Sequence, residues 1–308
     1  MHVFITGASG LIGSYTTQYL LDHGHSVTAV DIVPLPERIK LPEGSVFEKV
    51  DVTDFVAVEK AMLRIPCDGV IHLGAIPNPH TGADVRTTHN VNVTGSYNVL
   101  RTAADQGIKR IVQASSINAV GLLFTHDSRR IIDELPLTEE SPRRPEDPYS
   151  LSKVICEIQA DSLCRLYDDL RITSLRFHHF CEPELAVSRA RHEDFWSWLS
   201  RDAAASACLL GLTANEPSFT KGHEQFFILY DQLVFGKACK EIEDGFYDEA
   251  IKDGMDPDTV SAEELVRLYY PGTKLREGWW SAENPRRGFY DTTKAKKMLG
   301  WTHEEQPC

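Results

Sequence analysis

The first 180 residues alternate short apolar runs with longer amphipathic stretches. "HVFIT" (2–6), "SVTAVD" (26–31), "SVFEKVD" (45–51), "DGVIHLGA" (68–75), "KRIVQASS" (109–116) and "RITSLRF" (171–177) predict strands. Between them, "LIGSYTTQYLLDHG" (11–24), "DFVAVEKAMLRI" (54–65), residues 85–106 and "YSLSKVICEIQADSLCRLY" (149–167) predict helices. Asp54 suits an N-cap, and Gly24 a helix end. This alternation predicts an α/β fold: a Rossmann-type, doubly wound parallel sheet with helices on both faces. Most of the strands are continuously apolar, as parallel strands buried on both faces should be.

Past residue 180 the strands thin out and aromatic residues cluster. "DFWSWLSRDAAASACLLGL" (194–212) predicts a loop and then a helix, with Arg201 and Asp202 at its start. "TVSAEELVRLYYPG" (259–272) predicts a helix, with Ser261 and Glu264 in capping-box spacing and a Pro-Gly stop. "DTTKAKKMLGW" (291–301) predicts a short helix opened by Asp291. Trp196 and Trp198 read as core.

Composition narrows the function. The 308 residues carry a formal net charge of −13, which disfavours nucleic acid or an anionic membrane as the main partner. No apolar run approaches membrane-spanning length. The chain opens directly into "HVFITGASG" without a basic n-region or cleavage site, so no secretory signal is expected. Seven cysteines lie at scattered positions without a C-x-x-C pair. Reduced thiols and a cytoplasmic location are the expectation.

"ITGASGLIG" places Gly7, Gly10 and Gly13 between the first strand and the first helix. Glycines there permit a tight turn, close backbone approach to a ligand and close helix packing. The helix N-terminus offers free N–H groups to a pyrophosphate. Ser9, Leu11 and Ile12 belong to the same expected dinucleotide contact. Asp31 ends the second strand, where its carboxylate can accept from adenosine ribose hydroxyls and would repel a 2′-phosphate. With Ile32 and Val33 beside it, NAD is expected rather than NADP, although Arg38 lies further along the loop. Asp51 and Val52 could meet the adenine edge, or Asp51 could simply cap the following turn.

"EDPYSLSK" supplies Tyr149 and Lys153, an i, i+4 pair in the first turns of a helix capped by Asp147 and opened by Pro148. An ammonium close to a phenol favours the phenolate, so the pair can act as a tuned base toward an alcohol or an acid toward a ketone. Ser116, ending the preceding strand, can hydrogen-bond the same oxygen. By spacing alone, a helix-surface pair would be the simpler reading.

Taken together, "TGASGLIG", Asp31, "VIHLGA", "ASSINAVG", "DPYSLSK" and "SLRF" resemble, in order and spacing, the extended short-chain dehydrogenase/reductases of the NAD-dependent epimerase/dehydratase group. "DTTKAKKMLGW" is similar to that group's C-terminal segment. The resemblance implies a Rossmann domain over residues 1–177 and a smaller substrate domain, mostly 178–308, with some segments returning to the sheet. It implies a catalytic triad of Ser116, Tyr149 and Lys153, cofactor contacts from Leu73, Gly74, Ala75 and Ala114, and a homodimer.

Departures bear on the substrate. Sugar-nucleotide 4-epimerases tend to carry a lysine where this chain has Pro77, and a tyrosine where it has Val120. The strand after the triad helix runs into "HHFCEP" rather than "N-P" or "N-V-Y-G". "ASSINAVG" and "CEPE…WLSRD" are more similar to uronate dehydrogenases. By the family pattern, His178 would approach the cofactor and His179 the substrate. Asn118 and Arg189 are further substrate candidates, with Arg191 beside them, and Asn92 reads as structural. Successive side chains of a regular strand point to opposite faces, so the two histidines are not expected to share a metal, and none is predicted. The expected activity is hydride transfer between NAD and a secondary alcohol or ketone of a sugar, sugar acid or polyol. The alternative is an epimerase or dehydratase that recycles NAD in each turnover.

Overall fold

The computed structural model describes residues 1–186, 191–235, 254–256 and 259–304. Seven parallel strands form the main sheet in the order β3-β2-β1-β4-β5-β7-β8. They are β1 (His2–Thr6), β2 (Ser26–Asp31), β3 (Val46–Lys49), β4 (Gly69–His72), β5 (Arg110–Ser116), β7 (Arg171–Phe177) and β8 (Gly222–Ile228). A separate pair joins β6 (Glu134–Leu135) to β9 (Lys274–Leu275). Strand order reverses beside β1, so a crevice opens beyond the carboxyl ends of β1 and β4, where ligands of this architecture bind.

The apolar strand sequences follow from coverage on both faces. Val3 and Ile5 enter one core, and Phe4, between them, enters the other. The first core lies under α1 (Leu11–Asp22), α5 (Arg201–Thr213) and α7 (Thr293–Leu299). The second lies under α2 (Phe55–Leu63), α3 (85–105) and α4 (Pro148–Leu166). Helix α3 covers the region expected at 85–106 but carries a π-turn at Asn90–Thr94 between Val85–His89 and Gly95–Asp105. A third core gathers Phe195, Trp196, Trp279, Trp280, Phe289 and Tyr290 around α6 (Ala262–Tyr269). Trp196 and Trp198 are both buried.

Local signals match the observed caps. Asp54 accepts from Ala57 N at 3.0 Å, and Asp147 from Ser150 N at 2.9 Å. Ser261 and Glu264 form the capping box. The last helix starts one residue later than Asp291 suggests: Thr292 holds the cap position, while Asp291 Oδ1 accepts from Thr293 N. No helix among the described residues is long and apolar enough to cross a membrane.

Candidate active site

The glycine loop is as tight as its sequence requires. A Cβ on Gly13 would sit 1.9 Å from the Gly7 carbonyl oxygen. Gly7 has φ +67°, and a Cβ there would meet Leu73 and Gly74 at 2.6 Å. The end of β4 therefore abuts the loop, and Gly74 N donates to Thr6 Oγ1. Asp31 accepts from Ser9 N at 2.9 Å and from Ile32 N at 2.7 Å, tying the loop to β2. A carboxylate has about four lone-pair sites, so capacity remains for ribose hydroxyls. The Arg38 guanidinium donates to Ser14 Oγ at 2.7 Å and lies over the Tyr15 ring. Asp51 Oδ1 accepts from both N and Oγ1 of Thr53, the turn-capping alternative, while Val52 is buried beneath Gly95. The cradle that excludes Cβ atoms, the helix N-terminus and the carboxylate at the end of β2 fit a dinucleotide.

The triad candidates converge at the carboxyl end of β5. Ser116 lies beside the Tyr149 phenol and acts to lower its pKa. Lys153 Nζ donates to Ala114 O at 3.0 Å and lies 5.6 Å from the Tyr149 ring centroid. All three side chains are buried. Burial pushes the Tyr149 phenol up to about 12, against the lowering effect of Ser116. Desolvation is the largest cause, and the Lys153 ammonium expected to favour the phenolate is engaged by Ala114 O. Burial lowers the Lys153 pKa as well.

Asn118, a substrate candidate, is buried behind Ser116. Its N and Nδ2 approach Ser116 Oγ at 3.1 and 3.5 Å, and its Oδ1 accepts from Leu123 N. Asn92 is structural, as expected: its side chain brackets Ile76 N and O and reaches Ser152 Oγ. Arg201 opens α5 and also bonds Tyr15 OH and Glu182. Arg189 lies outside the described residues.

The two histidines depart from strand alternation. Strand β7 ends at Phe177, so the regular pleat no longer applies, and both rings turn toward Asp194 with centroids 4.7 Å apart. The donor atoms of His178, His179 and Asp194 lie within 4.8 Å of one another, which removes the geometric objection to a shared ion. His178 is buried, with Nδ1 and Nε2 each 3.2 Å from a carbonyl, of His179 and Asp194 respectively. Burial holds its pKa down at about 4. His179 Nδ1 lies 3.2 Å from Asp194 Oδ2. Burial opposes its charge, but the Asp194 carboxylate that accepts from the ring, helped by Cys181, prevails and raises it to about 9.

Sequence reasoning missed several groups. Glu157 and Arg176 form a fully buried bidentate pair at 2.8 and 2.9 Å, and Glu157 also accepts from Ser115 Oγ. Their signal was a glutamate four residues after Lys153 and an arginine inside an apolar strand. His72 bridges Thr6 Oγ1 and Ser96 Oγ beneath the loop, with burial lowering its pKa to about 3. Phe124 packs edge-on against Tyr149, and His80 against Phe124. Asp194, the partner of the histidine pair, had only the surrounding aromatic run to mark it.

The family model for the NAD-dependent epimerase/dehydratase family matches residues 3–217. UDP-glucose 4-epimerase 2 of Arabidopsis thaliana is 30% identical over 188 residues, covering 57% of this chain and 51% of that protein. The chain spans about half the length of the curated relatives it matches. Among solved structures, the UDP-glucose 4-epimerase of Thermotoga maritima superposes with TM-score 0.66 at 20% identity, covering 99% of this chain and 94% of that one. Glucuronic acid dehydrogenase of Chromohalobacter salexigens gives TM-score 0.63 at 22% identity, covering 99% and 85%. At these identities the structural likeness speaks to the fold, which matches.

Proposed function

The chain belongs to the NAD-dependent epimerase/dehydratase family, and from that premise we propose that it oxidises a secondary alcohol of a sugar or sugar acid by hydride transfer to NAD. The supporting observation is the burial of Ser116, Tyr149 and Lys153 together, with Lys153 one helical turn from Tyr149, behind a glycine loop that admits no side chain.

Gly7 to Gly13 would hold the pyrophosphate, Asp31 the adenosine ribose and Lys153 the nicotinamide ribose. NAD, when bound, accepts or returns the hydride, and its oxidised ring carries a positive charge that favours phenolate. Tyr149 takes the proton from the substrate hydroxyl during oxidation and gives it back during reduction. Ser116 shares the reacting oxygen and lowers the phenol's pKa. Asn118 keeps Ser116 in place, and the Phe124 ring keeps Tyr149 from solvent on one side.

In a second reading the ketone is re-reduced on its other face within the same turnover. The 4-epimerase relatives support this outcome more than a net dehydrogenase. The two part on one measurement. Incubation with NAD and a panel of sugars, uronic acids and nucleotide sugars yields accumulating NADH for a dehydrogenase. It yields an isomerised sugar without NADH for an epimerase. Tyr149→Phe abolishes both while NAD still binds; full activity in that variant overturns the assignment.

A cytoplasmic homodimer accompanies this proposal. The described cysteines are unpaired. Leu151, Ile158 and Leu166 on α4 and Tyr97 on α3 are exposed apolar side chains, a surface suited to a second copy.

A further inference from the structure

We infer that His178, His179 and Asp194 form a zinc site that pins the end of β7 to the turn before Phe195. Such a site does not depend on the redox reading above.

His178 and His179 follow directly on β7, and Asp194 closes the short turn His192–Asp194. Two separate segments thus bring two imidazoles and a carboxylate to one point. Asp194 Oδ2 lies 3.2 Å from His179 Nδ1 and 3.9 Å from His178 Nε2. With bonds of about 2.0–2.1 Å, two ligands of a tetrahedral zinc sit about 3.3–3.4 Å apart. An octahedral ion draws its ligands to about 3.0 Å. The two observed edges match the tetrahedral spacing better. All three donor atoms lie within 4.8 Å of one another, and a turn of the partly exposed His179 ring closes the third edge.

The surroundings already orient these groups as ligands. His178 is buried, and its Nδ1 and Nε2 each face a carbonyl oxygen at 3.2 Å, of His179 and Asp194 respectively. Full burial favours the neutral ring, which carries only one N–H. With that proton on Nδ1, bonded to His179 O, the Nε2 lone pair opposes the Asp194 carbonyl. A cation beside Nε2 relieves the opposition, and a bond from the other ring nitrogen to a carbonyl is what orients a metal-bound histidine. Asp194 is held in the same way: Oδ1 accepts from Arg191 N, which leaves Oδ2 for an ion. Its side chain is 2% exposed, and its charge partners are the two histidines. A buried carboxylate is costly unless a full positive charge answers it. Phe195 and Trp196, next in the chain, have φ of +59° and +47°, which bulky residues adopt only where packing compels it. Their burial in the aromatic core fixes the turn that carries Asp194. The His179 side chain is 33% exposed and gives an ion its way in. The ion replaces the proton between His179 Nδ1 and Asp194 Oδ2, and that proton leaves to solvent. Two imidazoles, one carboxylate and an open fourth position suit Zn²⁺.

The test measures metal binding, without NAD or sugar. The untagged full chain, stripped with a chelator, is titrated with zinc chloride against a chromophoric competitor. One equivalent binds with a Kd below about 1 μM and raises the midpoint of thermal unfolding. His179→Gln and Asp194→Asn each weaken zinc by more than about 100-fold, beyond the roughly ten- to hundred-fold loss typical of residues that only orient ligands. Both variants also lose the thermal shift. Cobalt(II) in place of zinc gives the parent the intense visible bands of a tetrahedral ion, and the variants lack them. Far-UV circular dichroism checks folding; if Asp194→Asn does not fold, His179→Gln, at a partly exposed position, decides. No binding by the parent, a smaller loss in His179→Gln, or only the weak bands of octahedral cobalt overturns the inference.

Discussion

Glu157→Gln perturbs the site without touching it. Glu157 lies one turn beyond Lys153 on α4, and Arg176 lies on β7; their side chains are 0% and 1% exposed. The carboxylate takes Arg176 Nε and Nη2, Ser115 Oγ and Arg143 Nη1, while Arg176 Nη1 reaches Glu139 O. The pair thus joins the catalytic helix to both strands that border the reacting carbon. Glutamine retains an acceptor but leaves a buried guanidinium without its counter-charge. Breaking a buried pair in this way costs about 3–5 kcal/mol. With an unfolding entropy of about 2.1 cal/mol/K per residue, that corresponds to a fall in Tm of roughly 5–8 °C for this length of chain. Urea unfolding followed by circular dichroism measures the loss directly. A double-mutant cycle with Arg176→Met isolates the coupling, expected above about 2 kcal/mol. The pair also sets a pH window. Burial raises the Glu157 pKa, but Arg176 outweighs it and holds the carboxyl below its ordinary value. Its contribution is present above the unfolded carboxyl's pKa and is lost as pH falls through the folded value. A Glu157→Gln loss under 1 kcal/mol, or additive losses in the cycle, would refute the account.

Gly13→Ala removes NAD binding in a fluorescence titration, because its Cβ would meet the Gly7 carbonyl at 1.9 Å; retained affinity contradicts the cradle. The rate of alcohol oxidation rises with pH, since buried Tyr149 must lose its proton, and Ser116→Ala moves the alkaline limb of kcat/KM higher by removing the hydroxyl that lowers the phenol's pKa. Asp147→Ala removes the cap on Ser150 N and costs about 1 kcal/mol in urea unfolding. If the chain forms the proposed homodimer, sedimentation velocity finds the parent a dimer and Ile158→Asp a monomer; a monomeric parent or an unchanged dimer in the variant overturns that proposal.

Much of the fold was legible because its signals are local. Gly7, Gly10 and Gly13 read correctly as a strand-turn-helix connection because backbone sterics act over a few residues. Asp54, Asp147 and Ser261 read correctly as caps for the same reason. Strand β8 escaped notice because it is an edge strand whose first four residues, "GHEQ", are only half-buried, leaving "FFI" too short to mark it. The histidine pair was read through regular alternation, which lapsed where the strand ended.

The sequence by itself determined the alternation of strands and helices, the phosphate loop, the acidic end of β2 and the Tyr149–Lys153 spacing. Each depends on chain periodicity or on side chains a helical turn apart. Tertiary structure alone decided that Tyr149 is desolvated, that Glu157 meets Arg176 and Ser115, and that Asp194 takes one of two adjacent histidines as its partner. Those properties arise from burial and from partners 15 to 42 residues apart in the chain. Neither is written in any local pattern.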